Sequence, residues 1–251
     1  MEYRQLGTTD IMVSILGLGT VKLGRNKSVS YKNVFQLPTI KEAELLLETA
    51  ISQGINLIDT APAYGASESI LGTLIQGNRD RWILCSKVGE EFDGEQSVFN
   101  FSRDHIISSI MRSIQRLNSE YLDIAVIHSN GDDLKILDDW QALDTLQKLK
   151  SLGLIRAVGI SHKTTSGAER AISLGADVIM ATLNRHSTNN QQIADIAQRY
   201  GCGVLIKKPL AKGYAMPSDL SWIASTPGVS SIVVGTTNPD HLIENANVLS
   251  T

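Results

Sequence analysis

Residues 122–128 read Leu-Asp-Ile-Ala-Val-Ile-His, a short and almost unbroken apolar run that closes on an ionisable side chain, His128. Apolar residues at nearly every position, without the alternation of a half-exposed strand, mark a parallel strand covered on both faces. The form recurs on either side of it. INLIDT (55–60) carries Asp59 near its end, and WILCSK (82–87) closes on Lys87. SILGLG, IRAVGIS, DVIMAT, GVLIKK and SSIVVG have the same character and bring the strand candidates to eight.

The segments between them carry helical periodicity. Ala43, Leu46, Leu47, Ala50 and Ile51 fall at i, i+3, i+4, i+7 and i+8, behind a Thr39-Ile40-Lys41-Glu42 capping box. Ile107, Ile110, Ile114 and Leu117 form a second stripe, Leu143, Leu146 and Leu149 a third, and Ile193, Ile196, Ala197 and Tyr200 a fourth. Asn238-Pro239 caps a last stripe through Leu242, Ala246 and Leu249. Eight strand-helix units in 251 residues predict an α/β fold, a (β/α)8 barrel preceded by an N-terminal β-hairpin; a doubly wound sheet usually has fewer strands. The whole chain, 1–251, reads as a single domain of this kind. Functional groups of such barrels gather at the C-terminal ends of the strands. That is where Asp59, Lys87 and His128 lie, on three consecutive strand candidates.

A net charge of -3 gives no basis for binding nucleic acid or anionic lipid, and no apolar stretch approaches the roughly 20 residues of a membrane span. The N-terminus lacks the basic and apolar regions of a secretory signal, so the expected location is the cytoplasm and the expected state a monomer. Cys85 and Cys202 sit in separate apolar runs with no CxxC, which reads as buried thiols rather than a disulfide or zinc site. The five histidines include no His-x-His pair, so no metal site is expected. Gly17-Leu18-Gly19 is not a dinucleotide fingerprint, because the next glycine is Gly24. The polar stretch Arg25 to Pro38 reads equally as pocket wall or tolerated insertion.

Charges at the ends of apolar strands are costly to bury unpaired, so convergence on one face predicts that they pair. An Asp59–Lys87 ion pair would create a field favouring the phenolate of a nearby tyrosine, and Tyr64 follows Asp59 in Asp59-Thr60-Ala61-Pro62-Ala63-Tyr64-Gly65. Tyr64 would then serve as a general acid, with His128 donating or accepting a hydrogen bond at the same reacting oxygen. Each element alone has a plainer reading: a structural ion pair, a satisfied core histidine, a packing tyrosine. Their combination on successive strand ends favours the chemical one.

The chain resembles the aldo-keto reductases. The resemblance rests on YRQLGTTDIMVSILGLGT, the DTAPAYG segment with Ser67-Glu68 and Leu71-Gly72 behind it, Lys87, His128, Gly159-Ile160-Ser161, Lys208-Pro209-Leu210, and Pro227-Gly228-Val229 leading into GTTNPDHLIENA. It implies a tetrad of Asp59, Tyr64, Lys87 and His128. It also implies hydride transfer from NADPH, or NADH, to a small-molecule aldehyde or ketone.

For the cofactor, the resemblance implies Gly19 and Thr20 at the first strand end, Ser161 and His162 at the carboxamide, and Lys208 and Leu210 near the pyrophosphate, with Lys207 and Lys212 adding charge. Gly235, Thr236 and Thr237 open the last helix, His241 stands near the ribose phosphate, and Asn245 faces adenine. The pattern departs from the family where His162 replaces Asn, Met180 replaces Gln, and Leu183 stands for a stacking Tyr. Gly235 and His241 occupy the positions of a Lys and an Arg that select NADPH. Typical members also continue past the last helix, so a chain ending at Thr251 is expected to leave the pocket open. A carbonyl reductase is the leading expectation; a nicotinamide-nucleotide sensor or accessory subunit with little turnover is the alternative.

Overall fold

The eight expected strands close into one parallel barrel in the computed structural model, which describes residues 1–29 and 34–250. An antiparallel hairpin comes first, β1 (Tyr3–Gln5) with β2 (Met12–Ser14). The barrel strands are β3 (Leu16–Gly19), β4 (Leu57–Asp59), β5 (Ile83–Val88), β8 (Leu122–His128), β9 (Ile155–Ser161), β10 (Val178–Thr182), β11 (Gly203–Lys207) and β12 (Val229–Gly235), and β12 pairs back onto β3. A second hairpin, β6 (Glu90–Phe92) with β7 (Ser97–Phe99), interrupts the series after β5.

Ten helices among the described residues cover or cap the barrel. They are α1 (Val21–Gly24), α2 (Ile40–Ser52), α3 (Ser67–Leu74), α4 (Arg103–Arg116), α5 (Asp133–Asp138), α6 (Ala142–Ser151), α7 (Thr165–Ser173), α8 (Gln191–Arg199), α9 (Asp219–Ala224) and α10 (Pro239–Val248). The Thr39 capping box forms in full, and Asn238 caps α10 by accepting from the Asp240 amide. Tyr200 breaks the expected stripe: it follows the end of α8 and is 75% exposed.

Alternation along each strand sorts the side chains into two cores. Leu57, Cys85, Ile124, Val126, Met180 and Leu205 fill the barrel interior, while Ile58, Leu84, Ala125, Ile127, Ile179 and Ile206 pack outward with the helices. Strands covered on both faces explain why the runs are continuously apolar. Leu6, Ile11 and Val13 of the first hairpin belong to the interior cluster. The hairpin closes the end where strands begin, since the Thr8 amide donates to Gly201 O just before β11. The opposite end, where strands finish, is left for loops.

Asp123, 1% exposed, explains the single polar residue inside LDIAVIH. Its carboxylate accepts from the Leu84 amide at 2.9 Å, Arg79 at 2.8 Å and Arg156 at 2.6 Å, tying β5, β8 and β9 together. Both thiols are free and buried, and burial pushes Cys202 up to about 12. No helix among the described residues is long and apolar enough to cross a membrane.

Candidate active site

The period of two that builds the interior also aims the site. Asp59 lies two residues beyond interior Leu57, Lys87 two beyond Cys85, and His128 two beyond Val126. Ser161 and Lys207 follow the same rule on β9 and β11. The last inward position of each strand therefore enters one space above the core.

Lys87 Nζ lies 2.5 Å from Asp59 Oδ1 and donates to Thr60 O at 2.9 Å. Both groups are buried, Lys87 at 1% and Asp59 at 4% exposure. Burial works against the lysine's charge, but Asp59 and then Tyr64 more than offset it, so Lys87 is held well above the ordinary lysine range. Its ammonium stands 4.7 Å from the centre of the Tyr64 ring. The Tyr64 and His128 rings meet edge to face, 6.2 Å apart and 88° inclined.

Tyr64 is placed by backbone contact. It ends a single 3-10 turn, Pro62–Tyr64, started by proline, and Gly65 follows in the left-handed region at φ 62. Gly24 lies directly against this turn: a Cβ there would stand 2.3 Å from Tyr64 O. Ser67 Oγ reaches both Thr20 O and Thr20 Oγ1, and buried Glu68 accepts from Ser86 and Arg116. The Ser67-Glu68 pair is thus structural, fastening α3 beneath the site.

A cavity of about 670 Å³ takes in all four expected tetrad residues. Gly19, Thr20, Ser161, Lys208, Leu210, Gly235, Thr236, His241 and Asn245 line the same space. His162 and Thr237 do not. Met180 lines it, but Leu183 packs into the outer core and cannot replace a stacking ring. The loop Arg25–Pro38 supplies Arg25, Ser28, Val29 and Phe35 to the wall, while Ser30 to Asn33 lie outside the described residues.

Around this cavity seven lysine or arginine side chains face three carboxylates, although the chain as a whole is negative. Lys207, expected only to add charge near the pyrophosphate, is turned inward onto other groups. Its Nζ donates to Ser161 Oγ at 2.7 Å and His162 O at 2.8 Å. Burial first, and then Lys208, Lys87 and Lys163, bring it down to about 7. His162 differs from expectation as well. Its Nδ1 lies 3.0 Å from Thr164 O, which requires the proton there, and burial holds the ring at about 4. The neutral ring therefore has an acceptor, not a donor, at Nε2, which is buried without a partner.

Three features of the cavity could hold a nicotinamide dinucleotide. Asn245 is 2% exposed with an unpartnered buried Oδ1, Lys208 and Lys212 supply positive charge at one side, and Ser161 with Lys207 supplies donors near the ion pair. The turn before α10 is less open to anions than its position suggests, because the Asn238 amide is already bound to Thr236 Oγ1.

Two residues that sequence reading passed over complete the picture. Glu90 Oε2 lies 2.9 Å from His128 Nδ1, and Asp133 accepts from the Lys163 and Thr164 amides behind Ser161. Glu90 belongs to the β6–β7 hairpin, whose Asp93-Gly94 dipeptide is a turn signal of the kind that could have revealed it.

A family model described as the aldo/keto reductase family matches residues 15–219. An uncharacterized oxidoreductase of Bacillus subtilis is 28% identical over 85% of this chain and 66% of its own length. L-galactose dehydrogenase of Arabidopsis thaliana is 31% identical over 85% of this chain and 66% of its own. The chain thus spans slightly less than two thirds of the length of these relatives. A solved structure from Pseudomonas aeruginosa, assigned to the aldo-keto reductases, is 42% identical and superposes with a TM-score of 0.90 over 98% of this chain and 95% of that one.

Proposed function

The chain belongs to the aldo/keto reductase family, and from that premise we propose that it is an NADPH-dependent oxidoreductase interconverting an aldehyde or ketone with its alcohol. The observation carrying this reading is the convergence of Asp59, Lys87, Tyr64 and His128 in one cavity, with Lys87 between Asp59 and the Tyr64 ring. The bound nicotinamide would supply the hydride. The residues do the rest.

Tyr64 delivers the proton to the oxygen on which charge develops. Lys87, fixed by Asp59 and Thr60 O, places a permanent positive charge beside the phenol and stabilises negative charge left on it. His128 orients the reacting oxygen from the other side. For the cofactor, Asn245 would meet the adenine, Lys208 and Lys212 the phosphates, and Ser161 with Lys207 the carboxamide. The preference for NADPH over NADH rests on this excess of positive charge, with His241 at the cavity edge.

Tyr64→Phe tests the reading. It should abolish NADPH-dependent reduction of a reactive aldehyde such as benzaldehyde while leaving NADPH binding and the circular dichroism spectrum intact. Undiminished turnover would remove Tyr64 from the mechanism, and tight binding without turnover across aldehydes and ketones in the parent protein would favour a nucleotide sensor.

A further inference from the structure

Lys207 ends β11 and lines the cavity, with its amine held at two points. Nζ donates to Ser161 Oγ at 2.7 Å and to His162 O at 2.8 Å, and no third partner for it is found among the described residues. An alkyl amine nitrogen is tetrahedral, so with Cε and two donated protons in place one direction remains. An ammonium carries its third proton there, and a neutral amine its lone pair. The two contacts therefore orient the nucleophilic electron pair without consuming it.

The surroundings favour the neutral form. Lys208 is the next residue, Lys87 faces Lys207 from β5 and Lys163 from the segment after β9, so three like charges bear on it. Asp133 of α5 opposes them, but its carboxylate is taken up by Ser129 Oγ, Thr164 Oγ1 and the Lys163 and Thr164 amides. The imidazoles of His128 and His162 are held below their ordinary range, by burial first and partly by Lys207 itself. Burial and the neighbouring lysines bring Lys207 to about 7, which leaves about half of it as free amine at that pH. An ordinary exposed lysine is free in fewer than about one molecule in a thousand. Desolvation and an adjacent cation are the two means by which a lysine is made reactive towards carbonyl carbon.

We propose that Lys207 is a nucleophilic site which, in the cofactor-free protein, condenses with an aldehyde in the cavity to form a protonated imine. Nζ attacks the carbonyl carbon, a C–N bond forms, and the C=O π pair moves to oxygen, which takes the proton that nitrogen gives up. The carbinolamine then expels its hydroxyl as water, with one proton drawn from solvent, and a C=N bond is left. Nothing is oxidised or reduced. The protonated imine keeps one N–H for Ser161 Oγ or His162 O, and its positive charge takes the place of the ammonium. Ser161 and Lys207 are the donors proposed for the nicotinamide carboxamide, so a captured aldehyde and a bound cofactor exclude each other. That exclusion rests on the oxidoreductase reading of the cavity; the condensation does not.

Benzaldehyde with sodium cyanoborohydride traps such an imine as a benzylamine, which intact mass and peptide mapping then locate. On cofactor-free protein at pH 7, Lys207 should take up one benzyl group on the order of tenfold or more faster than exposed Lys135. Its rate should rise about tenfold from pH 6 to 8 and then level off, whereas labelling of exposed lysines keeps climbing. Saturating NADP+, oxidised and so unable to consume the aldehyde, should slow labelling of Lys207 several-fold. Lys207→Arg, which keeps the charge and lacks the amine, should lose the fast phase; if it does not fold, the peptide map of the parent protein decides by itself. Label distributed by exposure with Lys207 unmodified overturns the proposal, and equal labelling with and without NADP+ overturns the exclusion. Trapping needs no turnover, so fast labelling of Lys207 in a protein that reduces no aldehyde would refute the proposed activity and leave this site standing.

Discussion

Lys87 and Asp59 meet because Asp59 pairs in register with Cys85, two residues before Lys87, which sets both charged side chains on the inner face of adjacent strands with Nζ 2.5 Å from Oδ1. Both are buried. Lys87→Met should leave Asp59 as a buried unpaired carboxylate and cost about 3–5 kcal/mol of stability, besides abolishing reduction. Asp59→Asn combined with Lys87→Met should recover much of the stability and none of the activity. Urea titrations of the two variants, run beside a turnover assay, measure both effects.

Gly24 touches no reacting atom, yet its replacement should impair turnover. A methyl group at Gly24 would lie 2.3 Å from both Tyr64 O and Ser67 N. Gly24→Ala must displace the turn that carries the phenol, and a shift of about 1 Å costs on the order of 100-fold in rate. The expected signature is a large fall in kcat with NADPH affinity nearly unchanged.

Lys207 should make cofactor affinity fall as pH rises through neutrality. Held at about 7 by burial and neighbouring lysines, its charge is lost between pH 6 and 8, and an anionic ligand loses that attraction with it. Fluorescence titration with NADPH should show a dissociation constant that rises several-fold across this window. Lys207→Met should bind more weakly at pH 6 and show a flatter profile.

His162 should impose acid sensitivity on the fold. Its ring titrates at about 4 when folded and near 6.5 when unfolded, so the unfolded chain binds the extra proton between those values. The stabilising effect is complete above about pH 6.5 and lost as pH falls towards 4, at most roughly 3 kcal/mol. Thermal melts at pH 7.5 and 4.5 should differ less for His162→Gln than for the parent protein.

The strand ends were legible in the sequence because burial on both faces leaves no polar residue in the runs without a reason. Asp59, Lys87 and His128 stood out against Ile, Val and Leu, and the structure brings them into one cavity. Tyr64 was legible through the turn that follows Asp59. Glu90 was not: it sits among other polar residues, EEFDGEQ, where one carboxylate looks like the next. Lys207 was read as one of several charges near the phosphates, whereas β11 turns it inward onto Ser161.

The sequence by itself determined the barrel and the positions of its strand-end chemistry, since both depend on local period and on the cost of burying charge. Only the tertiary structure decided which partners the buried histidines meet. His162 has its donor spent on Thr164 O, and His128 faces Glu90 from a hairpin 38 residues earlier in the chain. The partner of a buried polar group is set by packing, whether it lies nearby or far off in sequence, and no periodicity records it.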